Sequence, residues 1–335
     1  MISERVRQSL RAEFNRSLMA KVGVVLLTLI LLMAIFAPIL ATHDPTEQGH
    51  TDETGSSYPP IGLSYETTVF QDGDRTSVDV EPSSDHYLGT NNLGQDVYSR
   101  FFYGARTSLL VGLTGTALAA AIGVPIGLMA GYFRGRTDDA LMRVADVMLA
   151  FPALVLALAL MGAFGRGTVA LPDPIVMAGF AEGMPERVTF PGMVSVVVAL
   201  VTWVWFARVA RGEAMSIRSE EYVKAARSMG ASHRTVLLRH VLPNSLTPII
   251  VLATIQVAAI IILESALSFL GFSGTQLSWG YEIQNGQNYL RSQWWIATIP
   301  GIGIVLAVIS INLLGDWLRD ALDPNIEGEG GGGAG

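Results

Sequence analysis

The chain has 335 residues, of which 50% are hydrophobic and 15% charged, with a net charge of −7 and no cysteine. Ordinary soluble domains carry about a quarter of their residues as charges, so this composition excludes a conventional soluble enzyme and predicts a membrane protein. Its stability must come from packing without disulfides.

The first 21 residues carry Arg5, Arg7, Arg11, Arg16 and Lys21. Residues 22–41 are then apolar for twenty positions, enough to cross about 30 Å of hydrocarbon as a helix. This run is longer than the core of a cleavable signal peptide and closes with Pro38, which predicts a retained first span. Residues 42–106 are polar, with eleven acids and three arginines. Asp72, Gly73 and Asp74 read as a hairpin turn between short extended runs. Residues 42–84 otherwise read as a solvated connector, with a landing surface for another protein as the alternative. Asp96 to Tyr103 predicts an interfacial amphipathic helix, with Tyr98, Phe101, Phe102 and Tyr103 at headgroup level.

A five-helix core is predicted over 107–318. The second span, 107–131, contains Gly112, Gly115, Gly123 and Gly127, which let other helices approach closely. A basic turn over 132–143 follows, with Arg134, Arg136 and Arg143. The third span, 141–164, holds Asp146 one turn inside its start, positioned to pair with Arg143 or a loop arginine. Pro152 is expected to kink this span. Residues 165–190 form a second loop, and 191–210 the fourth span, ending near Trp203, Trp205 and Arg208. The fifth span is 245–271 and the sixth 294–314, entered at Trp294 and Trp295. The segment 319–335 is a tail whose glycine-rich end has nothing to pack and is expected to be disordered. Sixteen of the 22 basic residues fall in the N-terminus, the 132–143 turn, the 208–243 stretch and the tail. The excess of basic residues in cytoplasmic loops therefore places both termini inside and the acidic 42–106 loop outside.

Between the fourth and fifth spans lies a polar, basic loop, 212–244. Within it, Ser219 is a candidate helix cap, with Glu220 and Glu221 in the first turn, where the helix dipole favours negative charge. Tyr222, Val223, Ala226 and Met229 share one helical face. Gly230 stops that helix, Ser232 caps a second, and Pro243 ends it. Ala225, Ala226 and Ala231 leave the turn nearly bare, so a partner's backbone could approach. Lys224, Arg227, Arg234 and Arg239 form a positive rim. A basic amphipathic helix lying on headgroups would show similar charge.

This stretch resembles the EAA loop of ABC importer permeases, whose pattern is Glu-Ala-Ala, three residues, Gly, nine residues, Ile, one residue, Leu-Pro. Ala225, Ala226, Gly230, Leu242 and Pro243 match it, while Lys224 and His240 replace the Glu and the Ile, as in the peptide branch. Residues 86–112 resemble the segment opening the core of the peptide and nickel permeases. Leu88, Gly89, Thr90, Leu93, Gly94, Asp96, Ser99, Arg100, Gly104, Arg106 and Ser108 match; Tyr87, Asn91 and Gln95 depart. Further likeness to the C-type subunit of dipeptide, oligopeptide and nickel importers lies in 264–271, 278–280, Trp294–Trp295, Pro300–Gly301 and 312–324. The resemblance covers about 86–324, and 42–85 matches nothing.

The resemblance implies an all-α polytopic membrane protein of six transmembrane helices with the type I ABC importer permease fold. It implies a plasma-membrane permease subunit of a binding-protein-dependent importer for di- or oligopeptides or nickel complexes, forming half the translocation pore. The expected partners are a homologous permease subunit, two ABC ATPase subunits, an extracytoplasmic substrate-binding protein and the lipid bilayer, with no nucleic acid. The ATPase-coupling residues would be Glu221, Tyr222, Ala225, Ala226, Gly230, Ala231, His240 and Pro243.

Neither lysine stands in a phosphate-binding loop, so ATP would be bound and hydrolysed by a partner. No cofactor, catalytic group or metal is expected in this chain, because the five histidines are scattered in sequence without ligand spacing. Glu264, Gln256 and Asn312 are candidates for the substrate pathway. A carboxylate at the bilayer centre costs about 2.5–3.5 kcal/mol, so Glu264 must face the bundle interior or the outer interface, where an inter-helix hydrogen bond is the plainer role. The competing functional class is an ion-gradient-driven secondary transporter or channel, which needs paired intramembrane charges or discontinuous helices. A membrane enzyme would need a nucleophile–base or metal constellation.

Overall fold

A computed structural model describes residues 13–71 and 74–322. The basic residues Arg5, Arg7 and Arg11 and the glycine-rich end lie outside the described residues. The helix α1 (Leu18–Ile35) starts where the Ser17 hydroxyl accepts from the Ala20 amide at 3.1 Å. A hairpin pairs β1 (Tyr65–Gln71) with β2 (Asp74–Val80), in register from Tyr65↔Val80 to Gln71↔Asp74; Asp72 and Gly73 of the expected turn are outside the described residues.

The longest helix, α2 (Val97–Phe133), has 37 residues and is about 55 Å long. The expected separate interfacial helix over 96–103 is therefore corrected: those residues are the first turns of the second span. Asp96 caps them by accepting from the Ser99 amide at 2.7 Å. No break follows, and Gly104 packs so close to the Trp279 indole that a β-carbon would meet it at 2.7 Å.

The third span departs from a simple kink. Here α3 (Gly135–Leu149) and α4 (Ala153–Phe164) meet at 91° across the break that contains Pro152. A proline disfavours helical geometry in its predecessor, here Phe151, and the helix ends there and restarts in a new direction. At 12 residues α4 is about 18 Å long, too short to cross alone. The second loop contains a short hairpin of β3 (Val169–Pro172) and β4 (Arg187–Phe190). Then come α5 (Gly192–Ile217), α6 (Glu221–Ser228), α7 (Leu242–Leu267), α8 (Trp279–Gly286) and α9 (Trp295–Leu322). Among the described residues, five helices are long and apolar enough to cross a membrane, and six crossings result when the bent pair makes one.

The helices α2 and α5 run parallel, and their backbones nearly touch. A β-carbon on Gly123, Gly127 or Gly131 would overlap the carbonyl oxygens of Trp203, Ala207 and Arg211 respectively. Without a hydrophobic drive between helices in lipid, such close approach supplies the packing that holds them. Nearer the start of α2, Gly112 lies against Ile261 of α7. The outward flanks carry exposed Leu29, Ile262, Ile302 and Ile309, as an apolar solvent requires. Gly127→Ala is expected to lose about 1–3 kcal/mol by overpacking, read as a lowered melting temperature in detergent. Gly162→Ala, whose β-carbon meets no atom within 4 Å, should melt like the parent.

At the end where α2 begins, residues 42–58 do more than connect. The Thr42 amide donates to the Ser99 hydroxyl at 3.2 Å, the Tyr58 amide to Thr90 Oγ1 at 2.9 Å, and the Ser57 hydroxyl to the Asn91 carbonyl at 2.8 Å. This corrects the expectation of a merely solvated connector for that part of the loop. At the opposite end, Arg211 of α5 makes a two-pronged ion pair with Asp138 of α3 at 2.5 and 2.7 Å. Asp146 pairs with Arg208 at 2.8 Å.

Candidate functional site

The polar stretch between α5 and α7 forms a knob beside the C-terminal end of α2. Ser219, expected to cap α6, instead donates its hydroxyl to the Ser216 carbonyl at 2.6 Å and closes α5. Glu220 occupies the cap position without a side-chain bond. The stop at Gly230 is as expected. The Ala231 amide reaches back to the Ala226 carbonyl at 3.1 Å, and Gly230 adopts φ +85°, a left-handed conformation that favours glycine. Ser232 then caps the next turn, accepting from the Thr235 amide at 3.2 Å.

Pro243 does not end this second helix. His233–Val236, a wide π-turn at Leu237–Val241, α7 and a second π-turn at Ser268–Phe272 form one apolar run from His233 to Phe272, 40 residues long. Proline lacks an N–H and crowds the carbonyl four residues back. Widening the preceding turn, so that the Leu242 amide bonds to the Leu237 carbonyl, lets the helix pass through. The knob is thus continuous with a membrane helix.

The predicted apolar face of α6 splits in two. Val223 is buried in the chain's own core with Phe206, Val236 and Val241, and Ala226 is buried as well. Ala226, expected at the partner surface, therefore packs inward. Tyr222 and Met229 point outward, and Met229 is 82% exposed. Glu221, Ala225, Gly230 and Pro243 are exposed beside them, while Ala231 and His240 are half-buried. The rim residues Lys224, Arg227, Arg234 and Arg239 are exposed as well. The Tyr132 hydroxyl at the end of α2 lies 2.9 Å from His233 Nδ1, and the Arg218 guanidinium sits 5.7 Å above the Tyr132 ring. Sequence reasoning missed these three anchors; the only signal was a tyrosine heading the basic turn.

The candidate pathway residues are not brought together. Glu264 is fully buried and accepts from Ser108 of α2 at 3.1 Å and from Ser268 at 2.7 Å, an inter-helix lock. Gln256 is 7% exposed, and its Nε2 is buried without a hydrogen-bond partner. Asn312 is exposed on α9. Among the described residues, no hydrogen bond joins the three.

The expectation that the histidines are scattered is also corrected. The fold stacks the His43 and His86 rings at 4.5 Å between centroids, beside His50 and the buried Asp96. Burial lowers the His43 pKa, as do the neighbouring His86 and His50, against the pull of Asp96. Burial would raise the Asp96 carboxyl, but hydrogen bonds from His86 and Ser99 outweigh it and hold the group below the usual carboxylate range.

Residues 123–328 match the family model of binding-protein-dependent transport system inner membrane components. Residues 7–60 match that of the N-terminal TM domain of oligopeptide transport permease C. The chain is 35% identical over 307 residues to the probable D,D-dipeptide transport system permease protein DdpC of Escherichia coli, spanning 91% of this chain and 87% of that protein. It is 32% identical over 317 residues to the oligopeptide transport system permease protein OppC of Bacillus subtilis, spanning 93% and 88%. The methionine ABC transporter MetNI in an inward-facing form shares the fold over 67% of this chain and 97% of that one, with a TM-score of 0.51 at 15% identity.

Proposed function

We propose a specific division of labour for this chain, which belongs to the family of binding-protein-dependent transport system inner membrane components, in its peptide-permease branch. It is the permease of an ABC importer, and ATP hydrolysis lies on a separate subunit. In our reading the knob of 219–244 is the docking element for that ATPase. The observation that carries the reading is the exposed patch of Glu221, Tyr222, Ala225, Met229 and Gly230, set immediately before a helical run that continues into the membrane. Movement of the ATPase would shift the knob, and the 40-residue run would carry the shift into the bundle. Small displacements become discrete rearrangements because packed helices are bistable.

The chain would pair with a homologous permease subunit to complete the pore, take substrate from a binding protein outside and carry di- or oligopeptides, as its relatives' names suggest. Both termini and the knob would face the cytoplasm. The enclosed, serine-bonded Glu264 favours this reading over an ion-driven carrier, which needs a carboxylate that meets the ion path. Because the chain has no cysteine, Ser228→Cys places a single thiol on exposed α6. A membrane-impermeant maleimide should label it only after cells are permeabilised. Labelling in intact cells would overturn the orientation and the docking role with it.

A further inference from the structure

We propose that His43, His86 and Asp96, with His50 as fourth ligand, bind one divalent transition-metal cation of the zinc class. The ion would clamp the 42–50 segment onto the start of α2. The proposal does not depend on the transport reading.

Backbone bonds place the ligands. The His43 amide donates to the Ser99 hydroxyl at 3.1 Å, the Gly49 amide to the Leu93 carbonyl at 3.1 Å, and the His50 amide to the Gly94 carbonyl at 3.0 Å. These bonds lay two separated histidines over the 93–99 turn, where His86 and Asp96 already stand. The three imidazole centroids are 4.5, 4.9 and 5.3 Å apart. One ligand atom each of His43, His86 and Asp96 lies within 4.8 Å of the others.

His86 and Asp96 are 3% and 0% exposed, so the cluster is built into the fold. Its hydrogen-bonding is incomplete. His50 Nε2 is buried without a hydrogen-bond partner, and Glu47 Oε2 stands off at 3.6 Å. His43 Nδ1 meets only the hydroxyl of its neighbour Thr42, at 3.1 Å. A buried imidazole nitrogen without a hydrogen-bond partner is costly to leave unmet, and a cation at the cluster would take its lone pair.

Imidazole with one carboxylate is a borderline donor set, suited to Zn²⁺, Ni²⁺ or Cu²⁺ and poor for Ca²⁺ or Mg²⁺. Zinc–nitrogen bonds of about 2.0–2.1 Å put the ligand atoms of a tetrahedral site about 3.3 Å apart. His86 Nδ1 and Asp96 Oδ1 are already 2.9 Å apart, and side-chain rotation closes the remaining gaps. Asp96 Oδ2 is engaged separately by the Ser99 amide at 2.7 Å and hydroxyl at 2.6 Å. Oδ1 meets His86 Nδ1, so the ion would replace the proton between them, while the Ser99 bonds fix the carboxylate's orientation, as supporting contacts do in built metal sites. His43 is half-buried and provides the way in.

The test uses the full chain, purified without a histidine tag, stripped with chelator and titrated with zinc chloride by calorimetry, with melting followed in parallel. We expect one Zn²⁺ per chain and a raised melting temperature, with no response to Mg²⁺. His43→Ala and His50→Ala, which leave the buried His86–Asp96 pair intact, should each weaken zinc binding at least tenfold and abolish the stabilisation. Failure of the parent chain to bind stoichiometric zinc would overturn the proposal. So would unchanged zinc affinity and stabilisation in both variants.

Discussion

Glu282→Ala should be the most damaging single truncation of a charged side chain in this molecule, at about 3–5 kcal/mol of stability. Arg100 is 1% exposed and Glu282 4% exposed. The guanidinium grips one carboxylate oxygen through Nε at 2.6 Å and Nη2 at 2.5 Å. Its remaining donors go to the Pro45 and Gln276 carbonyls. One side chain at the start of α2 thus fastens the 42–58 segment, the approach to α8 and α8 itself. Removing the carboxylate leaves a buried cation with no counter-charge, and the penalty is set by that stranded charge more than by the lost bond. The double variant Arg100→Met with Glu282→Leu removes both charges and should recover part of the loss, though two carbonyls then go without donors. Melting curves of the detergent-solubilised chain decide it. If Glu282→Ala melts with the parent, or the double variant melts below it, the ion pair is not the fastening described.

The membrane helices were legible because a twenty-residue apolar run admits few other readings. The α2–α5 contact was legible in kind, since Gly123 and Gly127 announce close approach, but not which helix would approach. Misreadings came where one residue type has two outcomes. Pro243 stops a helix in water, whereas here the π-turn before it carries the helix through into the bundle. Pro152 reads as a kink, and the chain instead breaks there into two helices at 91° because the proline starts a new helix. Periodicity placed Val223, Ala226, Tyr222 and Met229 together, yet it cannot tell the part of a face that meets the chain's own core from the part left for a partner. Long-range pairs left no local trace: Arg100 and Glu282 are 182 positions apart. His43 and His86 lie far closer in sequence, yet only the folding of 42–50 over the 93–99 turn brings them together.

Gly230→Asp is expected to leave the chain inserted and melting close to the parent while abolishing retention of the ATPase. The reasoning separates the chain's own packing from its contact surface. A β-carbon at Gly230 meets no atom within 4 Å, so the added side chain clashes with nothing in this chain. The left-handed φ of +85° penalises a side chain by about 1–2 kcal/mol, and aspartate tolerates it better than most residues. What changes is the bare tip beside Ala225 and Met229, which gains a carboxylate where a partner's backbone would approach. Desolvating that unpaired charge at an interface opposes docking. Gly230→Ala carries the same backbone strain without the charge and should retain an intermediate amount of ATPase. Ala226→Asp reads the opposite way: Ala226 is only 6% exposed, so a buried unpaired carboxylate there should keep the chain itself from accumulating. Co-purification from membranes expressing the chain with its ATPase distinguishes these outcomes. Should Gly230→Asp hold the ATPase as firmly as the parent does, the exposed tip of the knob is not the docking surface.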